Sequence, residues 1–223
     1  MNNKEVTLFL TACNRPALLK ITLESFVKYN TFPIKEAIIM EDSGLKGIND
    51  FALKLLPFPC KIIYNEKRMG QMKLIENGAK FINTPYVFHC EEDWEFYKTG
   101  FIEESFKILD KDINVCCVFL RGYEENRIRS GINIDFTDKG GYYYVKPKFI
   151  IEKKEGGGMR ASGVLTFNPG LRKKEISLAR IPYNNTEDEG TLGYYFNQKG
   201  MYGAVTKNPD GFVRHIGWGH HVY

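Results

Sequence analysis

Three consecutive carboxylates, Glu91, Glu92 and Asp93, follow directly after the apolar run YVFHC and stand immediately before Trp94. Neighbouring like charges repel each other, and burial of an unpaired carboxylate costs several kcal/mol. A chain that places these acids where a buried strand ends needs something positive beside them. The sequence therefore predicts a positive partner at this point.

The spacing of the acids indicates which cation could bind there. If the backbone stays extended past Cys90, Glu91 and Asp93 point to one side and Glu92 points to the other. Two carboxylates on one side can hold a hard ion such as Mg²⁺ or Mn²⁺, which prefers oxygen ligands and usually shares substrate phosphates. The pattern favours binding of a metal-bound nucleoside diphosphate.

Polar residues also follow the first two strand-like runs of the chain. Thr11, Asn14 and Arg15 come after the first run, and Glu41 and Asp42 come after the second. Any one of these clusters alone is typical of an ordinary loop. The carboxyl ends of parallel strands, however, meet at one edge of a sheet, where ligands bind. We therefore expect the clusters to share one crevice with the acids at 91–93.

The elements that would position these residues alternate along the first half of the chain. Short apolar runs are separated by segments with helical spacing of apolar residues, and Pro16 suits the first turn of a helix. This alternation predicts an α/β fold with a mostly parallel sheet sandwiched by helices. The strands predicted in this half are 6–11, 34–40, 60–64, 86–90 and 115–120.

The second half of the chain has weaker periodicity. Residues 121–160 are predicted to be irregular, with three tyrosines at 142–144 and three glycines at 156–158. Regular signals return beyond this section. They predict a strand at 163–168, a helix near 187–198 and a strand at 202–206.

Composition places the chain among ordinary globular proteins. It has 223 residues, of which 43% are hydrophobic and 26% are charged, and it has no linker-like segment, so we expect a single domain over 1–223. No apolar run is long enough to span a bilayer, and the opening MNNKEV leaves no room for a secretory signal, which predicts a cytoplasmic protein. Five cysteines without CxxC spacing favour free thiols.

Charge and motifs exclude several classes of partner. The net charge of +4 comes from basic clusters that lack the density of a nucleic-acid groove, so no nucleic-acid partner is expected. Peripheral contact with an anionic membrane surface stays open. The sequence contains neither GxGxxG after the first run nor GxxxxGK[ST], so we expect neither a dinucleotide cofactor nor a P-loop.

The order of three motifs, TACNRP, IIMEDSG and VFHCEEDWEF, resembles the nucleotide-binding half of family 2-like glycosyltransferases of the GT-A fold. Further along, GVLTFNPGL resembles the acceptor-side strand of that family, and TEDEGTLGYYFNQKG resembles its Glu-Asp helix. The resemblance implies a metal-dependent, inverting glycosyltransferase with a nucleotide-binding half at 1–95 and an acceptor-binding half with a C-terminal tail at 96–223. It would use Mn²⁺ or Mg²⁺ to move a sugar from a UDP- or GDP-linked donor to a hydroxyl of a glycan or glycoconjugate.

Two positions depart from the family's pattern. Glu91 stands where the Asp-x-Asp metal motif usually has aspartate, and the extra methylene changes the reach of the carboxylate. EDSG replaces the commoner version with two aspartates, which leaves open whether Glu41 or Asp42 contacts the nucleoside.

The resemblance also implies roles for individual residues. The metal ligands would be Glu91 and Asp93, joined by His215 from the C-terminal RHIGWGHHV segment, with His220 and His221 as alternatives nearer the chain end. The residues implied to bind the nucleotide are Thr11, Asn14, Arg15, Glu41, Asp42, Gln71, Lys73 and Glu92.

The general base implied by the resemblance is Asp188, with Glu187 and Glu189 as neighbouring candidates. Thr186 and Glu189 also have the spacing of a capping box, and acids in the first turn of a helix are favoured by its dipole without any catalytic role. Both explanations of these acids therefore stay open. Trp94 and Trp218 are likewise candidates for stacking on sugar rings or for ordinary packing.

Three other functions share part of this pattern. A nucleotidyltransferase would need a glycine-rich loop bearing Lys or Arg after the first strand, and TACNRP is too short for that. A glycoside hydrolase needs two carboxyls about 5–9.5 Å apart across the scissile bond, which neighbouring acids do not by themselves provide. A binding module without catalytic activity would keep the pocket and lose the base, and it stays as an alternative.

Overall fold

The elements of the fold follow the predicted alternation in the first half of the chain. The computed structural model describes residues 4–123, 135–151, 159–183 and 187–219. The strands within these residues are β1 (Val6–Ala12), β2 (Glu36–Glu41), β3 (Cys60–Tyr64), β4 (Tyr86–Glu91), β5 (Trp94–Phe96), β6 (Val115–Phe119), β7 (Phe136–Asp138), β8 (Tyr142–Val145), β9 (Lys148–Ile151), β10 (Met159–Ser162), β11 (Gly170–Lys173), β12 (Tyr202–Thr206) and β13 (Val213–His215). The helices are α1 (Pro16–Tyr29), α2 (Ala52–Leu55), α3 (Gln71–Ala79), α4 (Phe101–Lys111), α5 (Lys174–Ser177) and α6 (Glu189–Gln198).

A five-stranded sheet with the order β11-β4-β1-β2-β3 forms the centre of the fold. The pairs β1–β2, β1–β4 and β2–β3 are parallel, and β11 adds an antiparallel edge beside β4. This sheet confirms the predicted α/β fold, with four parallel strands and one antiparallel strand. The carboxyl ends of β1, β2 and β4 therefore lie at one edge, as parallel pairing requires.

Both faces of this sheet are covered, which explains why every residue of its central strand β1 is buried. Successive side chains of β1 alternate between the faces. Leu8 and Leu10 pack in one core cluster with Leu23 of α1, whereas Phe9 packs in the other with Leu74 of α3. The predicted sandwich of helices around the sheet is thus present.

Aromatic packing fixes α1 against one face. Pro16 begins the helix at a position where its missing N–H has no intrahelical partner to lose. One turn from the end of the helix, the ring of Phe26 lies with its centroid 5.2–5.7 Å from those of Phe88, Phe96 and Phe101. These contacts join α1, β4, β5 and α4 in one cluster and hold the end of β4 in place.

Close backbone approach fixes α3 against the other face. A Cβ atom at Gly78 would lie 2.4 Å from the ring of Phe9 and 2.9 Å from Met40. Glycine is therefore required there for the helix to reach the sheet. This contact fixes how closely α3 packs against the sheet. The first residue of the helix, Gln71, then lies near the end of β4, where it donates a hydrogen bond to Glu91.

A second sheet with the order β6-β12-β8-β7 corrects the prediction for residues 121–160. The tyrosines at 142–144 form strand β8, which pairs with β12. Tyrosine fits a pleated, half-buried surface. Strand β8 pairs with its sequence neighbour β7 and also with β12, which comes from far along the sequence, so the local pattern did not reveal the sheet. The glycines at 156–158 lie outside the described residues.

The strand predicted at 163–168 is wrong. Those residues connect β10 and β11 without strand structure. Gly163 has φ +85°, and the carbonyl oxygen of this residue accepts a hydrogen bond from the amide of Gly203. The amide of Phe167 donates to the Glu189 carboxylate instead of to a strand. This apolar run, which begins with a glycine, is here a buried loop. Hydrogen bonds to distant residues satisfy backbone polar groups of the loop.

A short pairing brings the C-terminal segment back to the acids that follow β4. Strands β5 and β13 are antiparallel, with Trp94 opposite His215 and Phe96 opposite Val213. In the described part of the chain, no helix combines the length and the apolar composition that a bilayer-spanning segment needs.

A partly buried polar contact between the end of α4 and the second sheet is open to a stability test. Asp112 accepts hydrogen bonds from the hydroxyls of Tyr142, at 2.7 Å, and of Tyr202. Burial acts to raise the pKa of Asp112, but the two hydroxyls outweigh it and hold the pKa below its usual value. The stabilisation is therefore complete above about pH 4, the usual pKa of aspartate, and is lost as the pH falls through the lower pKa of the folded state.

We expect Asp112→Asn to lower Tm at pH 7 by about 2–4 °C, equivalent to about 1 kcal/mol after allowance for solvent screening. The difference in Tm between the variant and the parent protein should become smaller below about pH 4, as measured by thermal unfolding followed by circular dichroism. Asp110→Asn is the matched control, because the ion pair of Asp110 with Lys4 is exposed. A difference in Tm that becomes larger at acidic pH would contradict this account.

Candidate active site

Arg15, just beyond β1, supplies the positive charge predicted beside the acids. Its guanidinium contacts Glu92 Oε1 through Nη2 at 2.7 Å and Asp93 Oδ2 through Nη1 at 2.9 Å. The two carboxylate side chains are only 5% and 8% exposed, so the arginine provides the charge compensation that such burial requires. The amide of Cys13 also donates to Glu92 Oε1, at 3.0 Å.

The extended backbone expected past Cys90 ends at Glu91, and residues 92–93 form a turn. Glu91 therefore has different partners from Asp93. Glu91 accepts hydrogen bonds from Gln71 Nε2 at 2.6 Å and from Trp94 Nε1 at 3.3 Å. The turn sends Glu92 and Asp93 to the arginine and leaves Glu91 facing the start of α3.

The three acids differ in electrostatic environment. Burial raises the pKa of Glu91 to about 8, and the nearby charges of Asp93 and Glu189 act in the same direction. Burial also raises the pKa of Glu92, although Arg15 opposes it. For Asp93, burial is outweighed by its hydrogen bond to His215 and by Arg15, so its pKa is lowered. Asp93 is thus the acid of this group whose negative charge the surroundings stabilise most clearly.

Glu41 is completely buried and holds the turn that follows β1. Its Oε1 accepts from the amides of Asn14 at 3.0 Å and Ser43 at 2.9 Å, and its Oε2 accepts from the side chain of Asn49. Asn14 has φ +53°, a left-handed conformation that asparagine tolerates better than most residues. This carboxylate therefore fixes the position from which Arg15 reaches the acids.

Asp42 holds the segment that leads into α3. Its Oδ1 accepts from Asn65 Nδ2 at 2.9 Å and from the amide of Met69 at 3.0 Å, and its Oδ2 accepts from the amide of Gly70 at 2.8 Å. Gly70 has φ +83°, which favours glycine immediately before the helix. The carboxylate stands at the helix start and also faces an open cleft.

A cleft of about 140 Å³ lies at the carboxyl edge of the central sheet, and we call it the strand-end cleft. It contains six of the residues assigned from sequence to nucleotide or metal. The lining residues are Thr11, Ala12, Cys13, Arg15, Asp42, Arg68, Gly70, Gln71, Leu74, Glu91 and Glu92. The predicted convergence of polar clusters after β1, β2 and β4 is therefore present.

Other predicted residues lie around this cleft without lining it. Asn14 and Glu41 support it from behind, as their hydrogen bond shows. Lys73 forms an ion pair with Glu76 at 2.9 Å and donates to the Tyr183 carbonyl at 2.8 Å. These bonds tie α3 to the segment before α6 and direct the Lys73 ammonium away from the cleft lining.

Sequence reasoning missed the cation Arg68 and the thiol of Cys13 in the lining of the strand-end cleft. Arg68 stands two residues before Gly70, where α3 is about to begin. A basic residue beside a glycine at a predicted helix start is the signal that could have found it. The same pattern occurs in many loops, so it indicates a functional residue only when the position of the cleft is known.

The acids at the start of α6 point to three different neighbours. Glu187 Oε1 pairs with Arg180 at 2.5 Å, and Asp188 Oδ2 pairs with Arg160 at 2.5 Å. Glu189 Oε2 accepts from the amide of Phe167 at 2.6 Å. Burial raises the pKa of Glu189, and its charge in turn raises that of Glu91. Among the three, Glu189 therefore interacts with the acids that follow β4.

The helix cap differs from the predicted one. Asp188 is the N-cap of α6, and its Oδ1 accepts from the Thr191 amide at 2.9 Å while the Thr191 hydroxyl accepts from the Asp188 amide. The predicted box between Thr186 and Glu189 is wrong, because Glu189 is already the first helical residue and its carboxylate bonds Phe167. Thr186 itself lies outside the described residues.

The C-terminal segment packs directly on Asp93. His215 Nε2 lies 3.2 Å from Asp93 Oδ2, and the amide of Ile216 donates to the Asp93 carbonyl at 2.9 Å. The His215 ring meets Trp94 and Trp218 edge-on, with centroids 5.1 and 4.8 Å away. His220 and His221 lie outside the described residues. Trp94 is fully buried and belongs to the core, whereas Trp218 is 58% exposed.

The donor atoms near Asp93 can be compared with the needs of a divalent ion. Within residues 4–123, 135–151, 159–183 and 187–219, no three His, Cys, Asp or Glu side chains are grouped closely enough to hold a metal. Mg²⁺ and Mn²⁺ are usually held by one or two carboxylates together with substrate phosphates, so such a trio is not required. Asp93 Oδ1 is buried and has no hydrogen-bond partner among the described residues, which fits a ligand atom.

The double contact of Arg15 gives a clear prediction about stability. Arg15→Met should lower the free energy of unfolding by about 2–4 kcal/mol, because two buried carboxylates lose their partner. Urea denaturation measures the change, and Arg214→Met is the control, since Arg214 forms an exposed pair with Glu95. Combining Arg15→Met with Glu92→Gln should cost less than the sum of the single changes. Additive losses would contradict the coupling.

Comparison with known proteins identifies the family of the chain. The sequence profile of the family described as Glycosyl transferase family 2 matches residues 7–168. Comparison with curated protein sequences found no significant match.

Solved structures with similar folds share little sequence with this chain. A structure of GalNAc-T7 with UDP, GalNAc and Mn²⁺ is 14% identical, with a TM-score of 0.63 over 95% of this chain and 43% of that one. TarS residues 1–349 of S. aureus is 12% identical, with a TM-score of 0.58 over 94% of this chain and 59% of that one.

A mannosyltransferase, PcManGT of Pyrobaculum calidifontis, in complex with GDP-Man and Mn²⁺, is 13% identical over 55% of this chain and 36% of that one, with a TM-score of 0.48. This chain thus spans between 36% and 59% of the lengths of these three structures. The family profile covers most of the chain, and the two longer structural matches share its fold. The chain therefore belongs to glycosyl transferase family 2 and has the GT-A fold.

Proposed function

We propose that this chain is a metal-dependent, inverting glycosyltransferase that moves a sugar from a nucleotide-sugar donor to a hydroxyl of a glycan or glycoconjugate. The observation that carries this proposal is the strand-end cleft. It gathers Arg15, Asp42 and Glu92 with Arg68 and the start of α3 at the sheet edge where ligands of open α/β sheets bind. Family membership supports the reaction class, and the residues gathered in the cleft support this location for it.

The donor's nucleotide would occupy the strand-end cleft. Thr11, Asp42 and Gln71 together offer hydrogen-bond donors and acceptors. The guanidinium of Arg68 provides positive charge for the diphosphate. Arg15 is already engaged by two carboxylates and would act by holding the turn in place. Lys73 would have to leave Glu76 and the Tyr183 carbonyl to reach the donor.

A divalent ion would be held by Asp93, with Glu91 and His215 as the other protein candidates. When bound, Mn²⁺ or Mg²⁺ offsets the negative charge that accumulates on a diphosphate leaving group. Asp93 offers Oδ1, which has no hydrogen-bond partner in the described part of the chain, and His215 contacts Oδ2 from the tail. The proposal gains support from the GalNAc-T7 structure, which contains Mn²⁺ with UDP and shares the fold.

The general base would come from the acids at the start of α6. Such a base needs a raised pKa and a place near the reacting atoms. Asp188 is the candidate that the family resemblance implies, but its carboxylate is paired with Arg160. Burial raises the pKa of Glu189, and its charge raises the pKa of Glu91, so the electrostatics of the site favour Glu189. The base would withdraw the proton of the acceptor hydroxyl during a single displacement, which inverts the anomeric centre.

A binding module without catalytic activity is the second candidate. The observation that favours it is the pairing of both Glu187 and Asp188 with arginines, which neutralises two of the three acids. Donor hydrolysis in the absence of acceptor separates the two functions, because an active transferase loses some sugar to water. We expect slow, Mn²⁺-dependent hydrolysis of at least one UDP- or GDP-sugar in a panel. Binding of these donors with no hydrolysis would favour the binding module.

The base assignment can be tested with two matched variants. Glu189→Gln should leave the donor Kd nearly unchanged and lower kcat by about 10² or more, the usual contribution of a general base. Asp188→Asn should lower kcat less and cost little stability, because asparagine caps a helix as well as aspartate and only the ion pair with Arg160 is lost. Steady-state kinetics and thermal unfolding of both variants decide the point. The opposite pattern would return the role to Asp188.

The metal assignment can be tested by a change of charge. Asp93→Asn should abolish the Mn²⁺-dependent part of the thermal shift caused by UDP or GDP, because the ion loses its best protein ligand. For the parent protein, a diphosphate at one hundred times its Kd would add about 2.7 kcal/mol of stability. Glu95→Gln, two residues away in an exposed pair, is the control. If Asp93→Asn keeps the full Mn²⁺-dependent shift, the metal lies elsewhere.

A further inference from the structure

A second cleft lies on the outer side of α6, and we call it the α6 cleft. Its volume is about 330 Å³, within the range of small-molecule sites. It is lined by Met159, Arg180, Glu187, Thr191, Tyr194, Tyr195 and Gln198, none of which lines the strand-end cleft. It is also the larger of the two.

The helix presents four of these residues as one stripe. Thr191, Tyr194, Tyr195 and Gln198 have the spacing i, i+3, i+4 and i+7, which places them on one face of α6. The opposite face is held against β10, where a Cβ at Gly193 would lie 2.3 Å from the Ala161 carbonyl oxygen. Because the helix is fixed from behind, the direction of the stripe is fixed too.

An ion pair forms the floor of the α6 cleft. The Glu187 side chain is only 6% exposed and meets Arg180 Nε at 2.5 Å. Arg180 has φ +64°, a left-handed conformation that costs about 1–2 kcal/mol for an L-residue other than glycine. The conformation places its guanidinium between Glu187 and the ring of Tyr195, 5.0 Å from the ring centroid. The pair brings donors and acceptors to one point without adding net charge.

The two tyrosines of the stripe have different surroundings. Tyr195 is contacted by two cations, Arg180 at 5.0 Å and Lys199 at 4.9 Å from its centroid. Tyr194 instead meets Phe149 edge-on at 6.2 Å, and Phe149 is 49% exposed. Tyr194 is therefore the ring better placed to lie against a ligand, with its hydroxyl available as a polar contact.

The α6 cleft is joined to the acids at the start of α6 through Glu187, which lines the cleft and precedes the N-cap Asp188. Met159, another lining residue, precedes Arg160, the ion-pair partner of Asp188. From Thr191 to Gln198 the stripe extends about 10 Å away from those acids, at 1.5 Å per residue. A molecule with one end at the acids could extend along the helix.

We propose that the α6 cleft binds the uncharged oligosaccharide portion of the acceptor, a role that rests on the proposed glycosyltransferase function. Sugar rings combine apolar faces with many hydroxyls. Tyr194 offers an aromatic surface, while the Glu187–Arg180 pair and Gln198 offer acceptors and donors for hydroxyls. The neutral floor suits an uncharged ligand, because an anion or a cation would compete with one partner of the ion pair.

The test measures oligosaccharide binding without donor or metal. Maltotriose, mannotriose and triacetylchitotriose are titrated into the full chain by isothermal titration calorimetry and ligand-observed NMR. At least one should bind, and Tyr194→Ala and Gln198→Ala should each raise its Kd by about tenfold or more. Ile113→Ala is the control, because it removes an apolar side chain of 73% exposure elsewhere on the surface.

Three results would overturn the inference. They are the absence of binding by all three trisaccharides, binding that Tyr194→Ala and Gln198→Ala leave unchanged, and a preference for an anionic probe such as trigalacturonate. Donor hydrolysis by the parent protein is measured separately and reports on the proposed function. Trisaccharide binding without donor hydrolysis would retain the α6 cleft and reject the transferase. Hydrolysis without trisaccharide binding would reject only the cleft.

Discussion

The contact of Arg15 with Glu92 and Asp93 is the interaction on which the candidate site depends. Two nearly buried carboxylates in adjacent positions cannot persist without a cation, and one guanidinium spans both. The same contact ties the turn after β1 to the turn after β4. Every residue that reaches the strand-end cleft from these turns takes its position from that connection.

Buried acids at strand ends have two separate roles in this fold. Glu41 and Asp42 accept backbone amides and so shape the loops that lead to Arg15 and to α3. Glu91 and Asp93 instead contact side chains. Glu91 lines the cleft and accepts from Gln71, whereas Asp93 contacts His215 of the tail. A carboxylate that already accepts several amides has less capacity for a ligand, so loop formation and ligand binding compete for the same groups. The site is built where this competition leaves Asp93 Oδ1 without a hydrogen-bond partner among the residues that the structure describes.

Much of the central sheet could be predicted from sequence, because its strands are continuous apolar runs between helices with clear periodicity. The presence of a positively charged partner beside the acids was also predictable. The sequence around the acids did not show that this partner is Arg15 rather than another cationic residue. The strand at 142–144 and the loop at 163–168 were not predictable. Strand β12, one of the two pairing partners of the former, and the hydrogen-bond partners of the latter lie far along the chain. Arg68 was missed for the same reason, since only the cleft distinguishes it from other loop arginines.

The acids at the start of α6 show why adjacency in sequence gives little guidance to function at a helix boundary. Asp188 has extended φ and ψ of −146° and −174°, and Glu189 begins the helix, so the backbone direction changes between them. Three successive carboxylates consequently meet Arg180, Arg160 and the Phe167 amide, on three sides of the helix start. One of them interacts with the acids after β4, one caps the helix, and one forms the floor of the α6 cleft. The fold thus separates one acidic motif into three environments, and the chemistry of each acid follows from its environment.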